Sequence, residues 1–324
     1  MTKPRQQVLD HEESVYHCIS RCVRRAFLYG QDLYSGKNYD HRKDWIKARI
    51  QNLINIFTIE VLAYALMDNH QHSILRTRPD LLNNLTDQEV LERWNLLYPK
   101  QRNLDFSPSI LTQDQLQEML LNKARIEVLR QRLNCISWFM KSLNEHIARL
   151  ANKEDNCKGR FWEGRFKCQK LIGEAAILSC AVYVDLNPIR AKKAATPETS
   201  EHTSAFERIQ ALKNNLMDDS LWISPIADSE TRRGFLSLNL EEYLSILDQT
   251  GRELRADKRG SISGSVKPLL ERIGISTEHW STVSSSITKS FSSIISKHDQ
   301  MQKSASTLGK NWLKGTRLSK VAYL

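Results

Sequence analysis

Two periods of apolar residues run through the first eighty positions, and each change of period marks a new element. Residues 15–20 (VYHCIS) have the length and composition of a strand. In 39–57, Trp45, Ile46, Ile50, Leu53, Ile54 and Phe57 fall on one stripe at helical spacing. The run 58–66 (TIEVLAYAL) is apolar and β-branched with no breaker, and 70–75 continues after a short polar turn, so both read as strands. A helix-rich stretch follows from 79 to 151, with Thr86 placed to cap its first long helix and almost no breakers over 113–151. Residues 159–172 (GRFWEGRFKCQKLI) then read as a strand and 174–187 as a helix.

The order β-α-β-β, a helical insert, then β-α predicts an α+β fold. It is a ferredoxin-like antiparallel sheet with helices on one face, a long helical insertion and a helical C-terminal extension. On this reading 1–78 and 152–200 form the core, 79–151 the insertion and 201–324 the extension. In the extension, 203–217 and 239–248 read as short helices. Residues 280–297 read as an amphipathic helix carrying Val283, Ile287, Phe291, Ile294 and Ile295. The closing LGKNWLKGTRLSK reads as a basic, loose arm.

Composition narrows the class. With 324 residues and 40% hydrophobic content the chain can bury a substantial core. It has no run of eighteen apolar residues to cross a membrane, and its polar N-terminus lacks the apolar heart of a signal peptide, so a cytoplasmic protein is expected. The six cysteines match neither a disulfide framework nor paired zinc-binding blocks, and reduced thiols are expected.

The formal net charge of +10 favours a polyanionic partner. Arg21, Arg24 and Arg25 cluster just after the first strand, and Arg252, Arg255, Lys258 and Arg259 crowd a later segment. Arg160, Arg165, Lys167 and Lys170 alternate with Phe161, Trp162 and Phe166. Cations among aromatics suit nucleic acid, because rings stack on bases while cations hold phosphates. If this segment is a regular strand, Arg160, Trp162 and Phe166 share one face, and Phe161, Arg165 and Lys167 the other.

Two further patterns carry chemistry. His70 and His72 fall on the same face of the strand at 70–75, about 7 Å apart at Cα, a spacing at which two imidazoles can converge on one divalent cation. On the helix 174–187, Ala176, Ser179, Cys180, Tyr183 and Asn187 line a second stripe beside the core face. That stripe is small or polar apart from Tyr183. Pro188 predicts that the helix ends or kinks at Asn187.

Taken in order, YHCISR, MDNHQH, RFWEGRFK and YVDLNPIRA resemble the REP-associated tyrosine transposases, of the single-tyrosine HUH superfamily. The resemblance covers about 14–195, interrupted by the insert. It implies that His70 and His72 bind a divalent cation, Mg2+ or Mn2+, with Asn187 as third ligand, and that Tyr183 is the nucleophile. Two positions depart from the family pattern: Gln71 stands where an apolar residue is common, and Asp68 where proline is frequent. Alternation puts Gln71 on the strand face away from the histidines, where it bears on packing rather than on metal.

The implied activity is metal-dependent cleavage and strand transfer of single-stranded or hairpin DNA through a 5′-phosphotyrosine, with Arg21, Arg24, Arg25, Arg160, Trp162, Arg165 and Lys167 as DNA contacts. A tyrosine phenol ordinarily ionises near pH ~10, so it needs cations close by to act at neutral pH. A metal-dependent phosphohydrolase that ignores Tyr183, and a non-catalytic DNA-binding regulator, stay open as alternatives. So does assembly as a homodimer.

Overall fold

A computed structural model describes residues 12–23, 30, 36–105, 107–214, 221–226, 236, 238–253, 290–291 and 293–322. Its centre is a five-stranded sheet built from β1 (Val15–Arg21), β2 (Ile59–Met67), β3 (His70–Thr77), β4 (Lys167–Leu171) and β5 (Ile294–Ile295). The strand order is β2-β3-β1-β4-β5. The first four pair antiparallel in the order of a ferredoxin-like sheet, and the short β5 adds a parallel edge beside β4. The α+β architecture expected from the hydrophobic pattern is the one the chain adopts.

Alternation along the strands sends two sets of side chains to two cores. Tyr16 and Cys18 of β1, Leu66 of β2 and Leu75 of β3 join α1 (His41–Ile56), α3 (Asp87–Leu97), α5 (Lys123–Leu133) and α6 (Ile136–Glu154) on one side. The stripe expected on α1 is the face it buries, since Ile46, Ile50 and Leu53 are at most 1% exposed. The α1 and α6 helices are also tied at their ends, where Arg42 Nε donates to Glu154 at 2.5 Å and a second guanidinium nitrogen meets Asp155. Thus α6, within the stretch read from sequence as insertion, packs beside α1 beneath the sheet.

The remainder of that stretch, α2 (Pro79–Asn83), α3, α4 (Gln113–Leu120) and α5, extends outward from it. Thr86 caps α3 as expected: its Oγ1 accepts from the Glu89 backbone N–H at 3.2 Å, while Glu89 accepts from the Thr86 N–H at 2.7 Å.

The opposite face of the sheet is covered as well. Val15, Ala63, Ala65, Ile74 and Leu171 pack there against α7 (Glu174–Asp185), α9 (Ser204–Lys213) and α10 (Leu240–Glu253). A bulge in β2 between Val61 and Ala63 puts Leu62 and Ala63 into this same core. The turn into α7 runs through Gly173 at φ +86°, a backbone region that suits glycine.

Two expectations for the extension are corrected. Ile294 and Ile295, placed from their spacing on a helix at 280–297, are β-strand instead, because the free edge of β4 offers backbone partners to two β-branched residues. Residues 280–289 and 292 of that segment lie outside the described residues. The closing segment is docked, not loose. Leu313 is 1% exposed, α12 (Thr316–Ala322) follows, and the Ser319 hydroxyl donates to the Ser296 carbonyl at 2.5 Å. Gly315 permits this close approach, as a Cβ there would stand 2.3 Å from the Phe291 ring. Between them lies α11 (His298–Thr307).

Candidate active site

Three neighbouring strands place their α7-facing side chains together near one end of the sheet. The register sets Ile19 opposite His72 and Arg21 opposite His70, while His17 stands opposite Ile74 on one side and Gln169 on the other. Period-two alternation then turns His17, His70, His72 and Gln169 to a single face. Gln71, between the two histidines, points the other way and donates from Nε2 to the Asn144 side chain of α6 at 3.1 Å.

Tyr183 crosses this face from α7. Its ring meets that of His72 edge-on at 5.5 Å between centroids, and that of His17 at 6.1 Å. The rings of His70 and His72 are themselves 4.9 Å apart. The helix spacing and the strand spacing read from the sequence therefore bring His70, His72 and Tyr183 into one cluster.

Asn187 lies 9% exposed just past the end of α7, where α8 (Asn187–Arg190) begins with Pro188 in its first turn. The break expected at the proline is present. The Asn187 side-chain amide donates to the Tyr183 carbonyl at 3.1 Å, fastening the turn that carries the tyrosine.

The electrostatics keep the imidazoles neutral. Burial pushes His70 down to about 4, helped by the positive charge of Arg21 and opposed by Asp68. Burial also lowers His17 to about 4, against the hydrogen bond from Gln169 that favours its charged form. His72 is lowered well below its ordinary value, first by burial and then by the two neighbouring histidines. A neutral imidazole offers one nitrogen lone pair, which is what a metal requires.

The hydrogen bonds fix where those lone pairs lie. His70 Nδ1 stands 2.6 Å from the Asn69 side-chain oxygen, which can only accept, so Nδ1 carries the proton and Nε2 is bare. His72 Nδ1 is engaged at 2.9 Å by His17 Nε2. The remaining nitrogen of His72, Nε2, is buried and meets no hydrogen-bond partner among the described residues. An orphaned buried nitrogen beside a second neutral imidazole suits a divalent cation, and imidazole ligands suit Mn2+ better than Mg2+. No three His, Cys, Asp or Glu side chains come together to hold a metal among the described residues.

Arg190, which the sequence reading did not single out, completes the cluster. Its guanidinium lies over the Tyr183 ring, 4.9 Å from the centroid. Its Nε, Nη1 and Nη2 are all buried without a hydrogen-bond partner among the described residues, and burial pulls its pKa down to about 10. A guanidinium so placed has the chemistry to take a hydrogen-bonding anion. Its sequence signal was its position, seven residues after Tyr183 and so two turns along the same helical path.

The expected DNA contacts divide. Arg21 is exposed at the mouth of the cluster, with its Nε 3.9 Å from Glu163. Arg24 and Arg25 lie outside the described residues. Arg160, Arg165 and Lys167 are exposed.

Trp162, expected to present its ring to DNA, is instead core. It is 9% exposed, and its indole N–H donates to the Asn144 carbonyl at 2.7 Å. Phe161 and Phe166 are buried beside it. The reason is that 159–166 is not a regular strand. It meets the chain at the end of β1 through one isolated bridge from Trp162 to Cys22, while the Glu163 N–H donates to the Arg21 carbonyl. Without strand alternation, the turn sorts all three aromatics inward and all three cations outward.

No protein-family model and no curated protein matches the chain. Among solved structures it is similar to a REP-associated tyrosine transposase bound to a REP hairpin. That likeness has a TM-score of 0.39 and 10% sequence identity, over 73% of this chain and 100% of that one.

Proposed function

We propose that this chain cleaves and rejoins single-stranded DNA through a covalent 5′-phosphotyrosine on Tyr183, as a transposase-like enzyme. The observation that carries the reading is the meeting of Tyr183 with His72 at 5.5 Å and with the unpartnered guanidinium of Arg190 at 4.9 Å. A nucleophile, a pair of neutral imidazoles and a cation without a counter-ion on one face are the parts that phosphoryl transfer to a protein side chain needs.

In this reading the Tyr183 oxygen attacks the phosphorus and the bond to the 3′ oxygen breaks. The 3′ oxygen leaves as a hydroxyl, its proton balancing the one the phenol gives up. The 5′ phosphate stays on Tyr183, and the 3′ hydroxyl of another strand reverses the step with no external energy source. Arg190 holds the phosphoryl oxygens against the tyrosine, and Arg21 and the exposed Arg160, Arg165 and Lys167 hold flanking phosphates.

His70 and His72, with Asn187 as third donor, would hold a divalent cation. The chemistry such a cation would supply there is neutralisation of negative charge on the phosphodiester under attack.

The proposed substrate is a hairpin bearing a single-stranded flank, whose exposed phosphates suit the basic side chains around the cluster. The test uses labelled hairpin DNA with a single-stranded flank and, in parallel, a fully paired duplex of the same sequence, each with Mn2+. Cleavage of the hairpin substrate, with label retained on denatured protein, is expected, and little of either with the duplex. Turnover with no label on the protein would replace this reading with a metal-dependent phosphohydrolase.

A further inference from the structure

Behind the histidine pair lies a chain of polar groups that the proposed chemistry does not use directly. The Gln169 side chain donates from Nε2 to the Phe291 carbonyl at 3.1 Å. That carbonyl can only accept, so it settles which end of the amide is which and turns the Gln169 oxygen toward His17. The oxygen lies 3.2 Å from His17 Nδ1, and it too can only accept, so Nδ1 carries a proton. His17 is 0% exposed and faces no carboxylate among the described residues, so as a neutral imidazole it holds this one ring proton. Its Nε2 is therefore bare and accepts from His72 Nδ1 at 2.9 Å. That places the single proton of neutral His72 on Nδ1 and leaves Nε2 as a lone pair, the same buried atom that has no partner.

We propose that Gln169 and His17 are positioning residues. They relay the orientation of the Phe291 carbonyl into the tautomer of His72, so that His72 Nε2 faces the cation site as a bare lone pair. The inference rests on the proposed reading of His70 and His72 as the cation site.

Reversing the amide shows what the relay prevents. With its nitrogen toward His17, Gln169 would set two carbonyl oxygens against each other at Phe291. It would also force His17 Nε2 to donate, and His72 would then carry its proton on Nε2, where it repels a cation. Orienting partners of this kind typically change metal affinity by about 10–100-fold.

Phe291 belongs to the C-terminal extension, three residues before β5, so that extension helps to define the site as well as closing the sheet edge. The signal was absent from any local pattern. His17 and Gln169 are 152 residues apart and meet only through the β1–β4 register.

The test begins on metal-free protein with 15N-labelled histidine, where long-range 15N–1H correlation reads the protonated nitrogen directly. The Nδ1–H tautomer is expected at His72, and Nε2–H there would overturn the relay. Calorimetry with Mn2+ then compares wild type with Gln169→Leu and His17→Phe, expecting about 10-fold weaker binding or more. His17→Asn, which restores a carbonyl acceptor, should recover part of it. Gln169→Leu keeps the test open should His17→Phe fail to fold. Wild-type Mn2+ affinity in a folded Gln169→Leu protein with mixed His72 tautomers would also overturn the proposal, as would no Mn2+ binding by the wild type. A correct tautomer and Mn2+ response without any protein–DNA adduct would leave the relay standing and remove the strand-transfer reading instead.

Discussion

Two arginines near helix ends, one on each side of the same sheet, show how differently its faces are built. Arg42, at the start of α1, is 0% exposed and meets the carboxylates of Glu154 and Asp155 from α6. Arg190, at the end of α8, lies over Tyr183 with no hydrogen-bond partner for any guanidinium nitrogen. The α6 side joins helix to helix by apolar packing and by ion pairs, although Arg42 Nη1 finds no partner among the described residues. The α7 side holds an apolar floor of alanines and valines beneath an unanswered guanidinium and an unanswered imidazole nitrogen. Arg42 has two carboxylates to answer its charge and Arg190 has none among the described residues, which leaves the second guanidinium able to meet an anion.

Breaking the α7 side should give the largest effects. His70→Ala combined with His72→Ala is expected to lower metal-dependent cleavage on the order of a thousandfold or more. Stability should fall by only about 1–3 kcal/mol in urea unfolding, the cost of leaving the buried His17 Nε2 without its His72 partner. Equal loss of cleavage and folding would mean the histidines are structural. Arg190→Met should reduce cleavage by roughly a hundredfold, the scale for removing one preorganised group that stabilises developing charge. Metal affinity by calorimetry should not move.

The opposite experiment is Phe139→Ala on α6. Phe139 is 0% exposed and stacks edge-on with Phe57 at 5.4 Å, so about 3–5 kcal/mol of stability should be lost in denaturant unfolding. The fraction that remains folded should bind Mn2+ with unchanged affinity.

The two sides should also respond differently to acid. His17 has a folded pKa of about 4, below its ordinary 6.5, so between those values the unfolded chain binds a proton that the folded chain refuses. The stability it contributes is present in full above 6.5 and is lost as pH falls toward 4, amounting to about 3 kcal/mol for a buried group with this shift. His70 and His72, both lowered, act in the same direction. Urea midpoints of metal-free protein at pH 7 and 4.5 should show the loss, and His17→Phe should show less of it. A midpoint independent of pH over that range would contradict the buried, neutral state of the histidines.

How much of this was legible in the chain follows from the range of the interactions. His70 and His72 share a face because a strand has period two, and Tyr183 and Asn187 lie one turn apart because a helix has period 3.6. Each pair was readable from its own few residues. Trp162 was misplaced because a strand period was extended over 159–166, where the backbone makes a turn held by the Cys22–Trp162 bridge. The paired strand begins only at Lys167. His17, Gln169 and Phe291 were out of reach for another reason, since their contacts depend on which strands are neighbours and in which register. Ile294 and Ile295 form a strand only because β4 presents an edge, and nothing in a two-residue apolar pair distinguishes that from helix.

The smallest effects should sharpen the division within 159–167 itself. Replacing Arg160, Arg165 and Lys167 with alanine should flatten the dependence of log K on log salt for single-stranded DNA, by about 0.7 for each phosphate contact removed. Stability should change little, because all three are exposed. Trp162→Phe should do the reverse. The salt slope stays, and about 1 kcal/mol of stability goes with the indole hydrogen bond to Asn144. Weaker DNA binding in the Trp162 variant at full stability would return that ring to the DNA surface.

The central claim is that Tyr183 takes the phosphate, and the most direct measurement is to find it there. Wild-type protein is incubated with hairpin DNA carrying a single-stranded flank and Mn2+, digested, and the nucleotide-bearing peptide sequenced by mass spectrometry. The account predicts a single modified residue, Tyr183, and no adduct from a Tyr183→Phe protein that keeps its fold and its affinity for the DNA. An adduct of ordinary yield from the phenylalanine variant, or one mapped to Tyr16 or Tyr64 in the wild type, would contradict it.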